Sequence, residues 1–260
     1  MKWESVVQDY TTAMRAGGRG KGTVRLHQHY LRNLRTKVPH PLRAERRDLE
    51  RFLARLDWSP ETRKSARSVI VNFYRWAHLA GHLDHDPAAG LPSVTVPTGQ
   101  PRPIPDPVLH RVLTYTTGRE RLMMLLAAHA GLRCVEIAQV RGSDLVNGRL
   151  YVKGKGGKTR TVPIVNRELV AALAEKPGWL FPNGRGSHLS PGHVSRLLSD
   201  ALPEHWTAHT LRHRMATAGY AATRDLLAVG RVLGHARPET TQRYVLLPDD
   251  AVMAVINGAA

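Results

Sequence analysis

The sequence predicts a mainly α chain in two parts. A small helical domain covers residues 1–91, a Pro-rich linker covers 92–105, and a mixed, mostly helical domain with a small β-hairpin covers 106–260. Three observations predict this. Apolar residues recur at helical spacing through the first part, with no convincing alternating run. Six prolines lie between Pro92 and Pro107 and no periodicity survives there, the mark of a semi-extended strap. In the second part, RLYVK (149–153) and KTRTVPI (158–164) alternate around a tight GKGG loop, the mark of a hairpin.

In chain order, Ser5–Arg15 reads as a first helix, broken by GGRGKG at 17–22, and Thr23–Lys37 as a second, broken by Pro39 and Pro41. Arg43–Leu56 is a third. The fourth has the clearest start, with Ser59 as cap and Pro60 at the first position, and it runs to Ala80 before Gly81. Its Val69, Phe73, Trp76 and Ala77 recur at helical spacing and read as core. The second domain opens with Asp106 as cap and Pro107 behind it, and its first helix runs to Tyr115. Arg119–His129 carries Leu122, Met123, Leu125 and Leu126 as a buried segment ended by Gly131, and Arg133–Val140 is a short helix. Asn166–Glu175 and Ser190–Leu202 complete the shell around the hairpin. From Ala208 to Val245 three short helices follow. Gly219 is a weak point in the first, Thr223 can cap the second and Gly234 end it, and Pro238 can open the third. In the tail, Val252, Met253, Val255 and Ile256 cluster, which fits either folding back on the same domain or docking on a neighbouring protomer.

Composition narrows the partner. Lys and Arg number 38 against 21 acids, a formal charge of +17, which points to a polyanion: nucleic acid first, an acidic membrane second. No apolar run approaches bilayer length, and MKWESVVQDY lacks a secretory segment, so no membrane is expected. The single cysteine, Cys134, forms no internal disulfide and fits a reducing cytoplasm. Up to Val96 there are 17 basic and 9 acidic residues, and beyond it 21 and 12, so the smaller part is the more densely charged. Lys21, Arg25 and Arg32 on the second helix, with Arg63, Lys64 and Arg67 on the fourth, are candidate phosphate contacts; a solvated helix face is the competing reading for each.

The densest chemistry lies in AHTLRHRMATAGYAATRDLLAVGRVLGHARPETTQRYV (208–245), which gathers His209, Arg212, His213, His235 and Tyr244 in fewer than forty residues. His209 and Arg212 are three apart and share a helix face. A cation, two imidazoles and a phenol suit a phosphodiester: the cation holds the non-bridging oxygens, the imidazoles donate hydrogen bonds, and the phenol supplies a nucleophile. Arg133, just past the glycine that ends a buried helix, offers a rigidly held planar fork for two phosphate oxygens, and Glu136 can orient it. Lys153, Lys155 and Lys158 surround the hairpin loop, and spacing alone does not choose among them. His205, His209 and His213 are spaced by four, which raises a metal site. Pro203 and the helix start at Trp206–Thr207 take His205 off the helical face, HExxH is absent and the cysteine is distant, so no metal is expected.

GLRCVEI (131–137), VKGKGGKTRTVPI (152–164), HTLRH (209–213) and LGH (233–235) with Tyr244 nine residues later resemble, in order and spacing, the signature boxes of the tyrosine recombinases, phage integrases and Xer-type resolvases. The resemblance implies a tyrosine recombinase-like fold: a helical core-binding domain that closes over one side of the DNA, and a catalytic domain with its tail. It assigns Arg133 and Arg212 to the phosphate, Lys155 as general acid to the departing 5′-oxygen, His209 and His235 as imidazoles at the site, and Tyr244 as nucleophile. Glu136 and His213 become supporting residues. It further implies site-specific recombination of double-stranded core or attachment sites through a 3′-phosphotyrosyl bond, with no cofactor, by four protomers on two duplexes, a monomer in solution remaining open. Two alternatives stand beside it: a type IB topoisomerase-like enzyme that relaxes DNA, and a basic DNA-binding protein with a degenerate site. The remaining tyrosines, Tyr10, Tyr30, Tyr74, Tyr115, Tyr151 and Tyr220, read as core.

Overall fold

A computed structural model describes residues 2–97, 99–154, 157, 159–203, 205–235, 238–245 and 257. The chain divides into two compact units, residues 1–98 and 99–260. The dividing point falls inside the proline-rich stretch, whose described residues from 92 to 105 form neither helix nor strand.

The first unit holds α1 (Trp3–Ala16), α2 (Lys21–Lys37), α3 (Arg46–Leu53) and α4 (Pro60–Leu79). α4 begins where the sequence signals it. The Ser59 hydroxyl accepts from the Thr62 N–H at 3.2 Å, and Pro60 occupies the first helical position, where its missing N–H costs nothing. Phe73 is wholly buried on this helix and meets Trp3, Tyr10 and Tyr74 edge-on, with ring centres 5.0, 5.3 and 5.2 Å away. Tyr74 anchors the other side by donating to the Pro41 carbonyl at 2.7 Å. The third helix is shorter than the sequence suggests. A 3-10 turn (Pro41–Arg43) precedes it, and Glu45 opens it, its N–H bonded to the Asp48 carboxylate at 3.0 Å. Arg63 then takes the carbonyls of Leu53 and Arg55 at 2.9 and 2.8 Å, which satisfies the helix end and stops the run before Leu56.

In the second unit α5 (Asp106–Tyr115) and α6 (Gly118–Ala128) lead to α7 (Cys134–Ala138), then to strands β1 (Leu145–Val146), β2 (Arg149–Lys153) and β3 (Thr159–Pro163). α8 (Arg167–Glu175), α9 (Pro191–Ala201), α10 (Ala208–Thr223), α11 (Leu226–Leu233) and α12 (Pro238–Gln242) follow. α6 is the hub: Met123 to Ala128 are all buried, so this helix is enclosed on every side of its second half. The sheet is antiparallel in the order β1-β2-β3. Leu150, Val152 and Val162 face the core, while Tyr151 and Thr161 face outward as a cross-strand pair. β1 is an element the sequence reading lacks, although Asn147–Gly148 marks it: both residues have positive φ, 50° and 71°, as a two-residue hairpin turn requires.

Other local expectations need correction. Pro105, not Asp106, precedes α5, and Asp106 instead pairs with Arg214 at 2.7 Å. α10 runs unbroken through Gly219, where Val229 of α11 packs within 3.4 Å of the position a Cβ would take. Asp225 rather than Thr223 caps α11, its carboxylate accepting from the N–H groups of Leu227 and Ala228. Tyr115 is 82% exposed and Tyr151 47% exposed, so neither belongs to the core. The hydrophobic tail lies outside the described residues. The first-unit core is organised by one ring, so Phe73→Ala should lower the unfolding free energy by about 3–5 kcal/mol, read by denaturant titration; a loss below about 1 kcal/mol would contradict that role.

Candidate active site

The site is built where α7, β3, α10 and α11 converge on a single carboxylate. Three residues beyond the end of α6 comes Gly131, whose φ of +65° suits a residue without a side chain; a Cβ there would lie 2.8 Å from Leu233 and 3.1 Å from the Met215 sulfur. The chain then turns into α7 with Arg133 at its start. Glu136, one turn in, accepts from the Arg133 N–H at 2.9 Å and from the Arg133 guanidinium at 3.0 Å. Its side chain is 1% exposed.

A second cation shares that carboxylate. Arg160 on β3 donates from Nη1 and Nη2 to the two Glu136 oxygens at 2.8 and 2.9 Å, a bidentate pair. Its Nε donates to the Val232 carbonyl at 2.7 Å. Arg160 was not among the residues the sequence singled out. The signal was strand alternation, because Arg160 pairs with Val152 and shares the inward face of β3 with Val162. A charge on the core-facing register of a strand requires a buried partner.

Arg212 on α10 completes the cluster. It is 1% exposed and lies 3.9 Å from the Glu136 carboxylate. Its Nη1 donates to the Gly131 carbonyl, and its Nη2 to the Leu233 carbonyl at 2.7 Å and to His235 Nε2 at 3.0 Å. Arg133 also reaches the Leu233 carbonyl, at 3.3 Å. All three guanidiniums therefore meet the last carbonyls of α11, the partly negative end of that helix. Arg212 Nε is buried and has no hydrogen-bond partner among the described residues.

The phenol stands beside this cluster. The Tyr244 ring centre is 5.0 Å from that of His209, 4.6 Å from His213 in a stacked pair, and 4.9 Å from His235. The Arg212 guanidinium lies 5.5 Å from the same ring centre. The Tyr244 carbonyl accepts from His213 Nδ1 and from the Thr217 hydroxyl, both at 3.4 Å, which holds the backbone of the nucleophile candidate against α10. Arg133, His209, Arg212 and Tyr244 line one cleft of about 370 Å³, together with Cys134 and Ser195. His205 stands apart, in a left-handed turn with φ +72° ahead of α10. Among the described residues no cluster of side chains could hold a metal ion.

Electrostatics follow from this crowding. Glu136 titrates below the usual carboxylate range: burial alone would raise it, and the hydrogen bonds from Arg160 and Arg133 outweigh burial. Burial, followed by Arg133, pushes Arg212 down to about 10, so it stays charged at neutral pH. His209 is pushed below its ordinary value by burial and then by Arg212 and Arg133. Burial first, then His209, takes His213 down to about 4; burial, then Arg212, does the same for His235.

Of the expected phosphate contacts in the first unit, Lys21, Arg25, Arg32 and Lys64 are exposed. Arg63 and Arg67 are engaged otherwise: Arg63 closes the α3 terminus, and Arg67 donates to the Leu91 and Pro92 carbonyls at 2.7 and 2.6 Å. Their guanidiniums fix backbone where the sequence reading had offered them to phosphate. In the second unit Lys153 is exposed at the end of β2, and Lys155 and Lys158 lie outside the described residues.

Comparison with known proteins decides the family. Residues 108–249 match the phage integrase family. The chain belongs to that family. As a phage integrase family member it is 34% identical over 229 residues to a tyrosine recombinase XerC of Rhodospirillum centenum, a match spanning 76% of this chain and 65% of that relative's length. It is 30% identical over 280 residues to the XerC of Pseudomonas fluorescens, spanning 88% of this chain and 93% of that protein. The lambda integrase tetramer bound to a Holliday junction has the same fold, with a TM-score of 0.71 at 20% identity over 90% of this chain and 77% of that one.

The depressed histidines fix the direction of a pH dependence. Unfolded histidine titrates near 6.5, while His213 and His235 in the folded site titrate at about 4. Between these values the unfolded chain takes up protons that the folded site refuses, so stability is full above about 6.5 and falls as the pH drops towards about 4. Denaturant titrations across that window should show the decline, and His213→Asn should make it shallower. Stability that stays level across the window would refute the burial-driven shifts.

Proposed function

We propose that this chain is a site-specific DNA recombinase that cleaves and rejoins strands through a 3′-phosphotyrosyl intermediate on Tyr244. The observation that carries the proposal is the gathering of three imidazoles and the Arg212 guanidinium around the Tyr244 ring, which lines a cleft together with His209, Arg212 and Arg133. Family membership and the XerC relatives support it.

In the proposed reaction the scissile phosphate sits over Arg133 and Arg212, whose forks take its non-bridging oxygens. The buried Arg212 Nε is a donor in need of such an acceptor. His209, held neutral at physiological pH, is able to take the phenolic proton as Tyr244 attacks phosphorus. The bond from phosphorus to the 5′-oxygen breaks, and Lys155 gives that oxygen a proton. The phosphotyrosine keeps the energy of the phosphodiester, so a 5′-hydroxyl from the partner strand reverses the step without a nucleotide cofactor. The exposed Lys21, Arg25, Arg32, Lys64 and Lys153 are proposed to hold the duplex backbone, Lys158 with them. Four protomers on two duplexes are proposed as the working assembly, by analogy with the lambda integrase tetramer. No helix among the described residues is long and apolar enough to cross a membrane, and a cytoplasmic location is proposed.

Tyr244→Phe should keep DNA binding and lose the covalent adduct. A nicked suicide duplex, built on a repeat found in the DNA flanking the coding sequence, traps the adduct for peptide mapping, and an adduct on any other tyrosine refutes the assignment. Transfer of the trapped strand to a second duplex distinguishes recombination from relaxation.

If Lys155 is the general acid, Lys155→Ala should slow cleavage by about a hundred- to ten-thousand-fold. Sulfur in place of the bridging 5′-oxygen should restore the rate, because a thiol with a pKa of about 8.5 leaves as thiolate without a proton. Single-turnover cleavage of both substrates by Lys153→Ala, Lys155→Ala and Lys158→Ala reads the result. Rescue at Lys153 or Lys158 instead would move the acid to that residue.

A further inference from the structure

The two ring nitrogens of His235 have different partners. Nε2 lies 3.0 Å from Arg212 Nη2, and Nδ1 lies 3.0 Å from the Thr241 hydroxyl. A guanidinium has only donors, so Nε2 must present its lone pair. The ring is neutral at physiological pH, through burial and then the charges of Arg212, Arg133 and Arg160, which outweigh Glu136. In a neutral ring the hydrogen is then on Nδ1, which donates to Thr241 Oγ1. A ring in this state is an acceptor for Arg212 and has no N–H for a phosphate oxygen on its Nε2 side.

Thr241 is 1% exposed, and its hydroxyl is set by the packing of α11 on α12. A Cβ on Gly230 would lie 2.9 Å from Thr241 Oγ1, so the backbone of α11 packs directly against this oxygen. A hydroxyl can both accept and donate. Turned about its Cβ–Oγ bond, it donates to Nδ1 instead and supports the opposite tautomer, with the hydrogen on Nε2.

We propose that Thr241 is a positioning residue that holds His235 in the Nδ1–H tautomer, bonded to Arg212, until a phosphodiester fills the cleft, and that its hydroxyl then reverses its hydrogen bond so that the ring donates from Nε2. The exchange removes one proton from Nδ1 and places one on Nε2 through solvent, and the ring stays neutral throughout. The Arg212 Nη2 N–H that the ring nitrogen gives up is then open to an oxygen of the same phosphate, while Nη2 keeps its bond to the Leu233 carbonyl. This rests on the reading of the cleft as a phosphoryl-transfer site. Its first half concerns the free protein and is measurable without any reaction.

Two-bond nitrogen–proton correlation spectra of protein carrying labelled histidine report the tautomer of each ring, and His235→Gln identifies the His235 signals. The free protein should show His235 protonated on Nδ1, and the Tyr244→Phe protein bound to the repeat-bearing duplex should show it protonated on Nε2. Thr241→Val, which keeps the shape and removes the hydroxyl, should abolish the single-tautomer pattern and slow single-turnover cleavage by about ten- to a hundred-fold. Thr241→Ser should restore both. A free protein protonated on Nε2, a pattern unchanged by DNA, or a Thr241→Val protein with the parent tautomer and rate would each overturn the proposal. The parent spectrum alone is decisive if the valine variant does not fold. Absence of any adduct with a normal free-protein tautomer would instead count against the recombinase reading.

Discussion

Everything at the centre of the second unit depends on the Glu136 carboxylate and the exposed carbonyls of α11. Three guanidiniums converge on this spot, and like charges at such separations repel strongly when water is excluded. Glu136 offsets part of the repulsion by direct bonds to Arg133 and Arg160 and by its 3.9 Å approach to Arg212. The helix end offsets more, because Val232 and Leu233 turn their carbonyls towards the same three side chains. Four elements of the unit are thereby tied at a single point: α7 through Arg133, β3 through Arg160, α10 through Arg212 and α11 through its backbone. Helix packing alone fixes elements to within a rotation or a small slide, whereas a bidentate pair fixes the angle as well. Arg160 thus holds the base of the hairpin to Glu136 of α7, and the register of β3 follows from that attachment as much as from Val162.

The same cluster sets the charge of the cleft. Three guanidiniums against one carboxylate leave a residual charge of +2, held in a site with little solvent to screen it. A phosphodiester carries one negative charge, and the pentavalent state formed when a nucleophile adds to it carries two. A cleft whose residual charge matches the second favours the state in which charge develops, which is the physical content of transition-state complementarity. Neutral imidazoles extend the argument. His209, His213 and His235 all titrate below their ordinary value, so none adds to the positive charge at neutral pH and each can exchange a proton or a hydrogen bond.

Much of this was legible in the amino-acid sequence, and the failures share a cause. Helices announced by a cap and a period, such as α4 and α9, begin where Ser59 and Ser190 place them, because a cap is a local bond between a side chain and a nearby N–H. The three boxes that carry Arg133, Glu136, His209, Arg212, His235 and Tyr244 are recognisable as a pattern, and the fold draws these residues together across a hundred positions of sequence. What could not be read is long-range partnership. Arg63 and Arg67 look like any basic helix face, and only the folded chain shows their guanidiniums on the backbone of Leu53, Arg55, Leu91 and Pro92. Arg160 lies on KTRTVPI, read from the sequence as a strand, but its buried partner Glu136 lies 24 residues away, where no local pattern points to it. Asp106 has the residue type of a cap, but its partner is Arg214, 108 residues on.

The free site also carries a cost that only a ligand relieves. Among the described residues Arg212 Nε is buried without a partner, and an unsatisfied buried donor costs on the order of 1–3 kcal/mol. Its other nitrogens are committed to Gly131, Leu233 and His235, so no local rotation can satisfy Nε without breaking one of those bonds. The chain could have avoided the penalty with an apolar residue of similar volume, and buried ion clusters are often replaced in that way without loss of stability. Keeping Arg212 therefore makes physical sense if an anion repays the desolvation when it arrives. The repayment is largest for an acceptor that brings several oxygens at once, because Nε, Arg133 and a donor nitrogen of His235 then gain partners together. A tetrahedral phosphate does this and a planar carboxylate does not, since its two oxygens cannot reach donors on three sides. The unsatisfied nitrogen and the surplus charge thus favour the same kind of guest, a tetrahedral anion, which is what the proposed reaction would bring to the cleft.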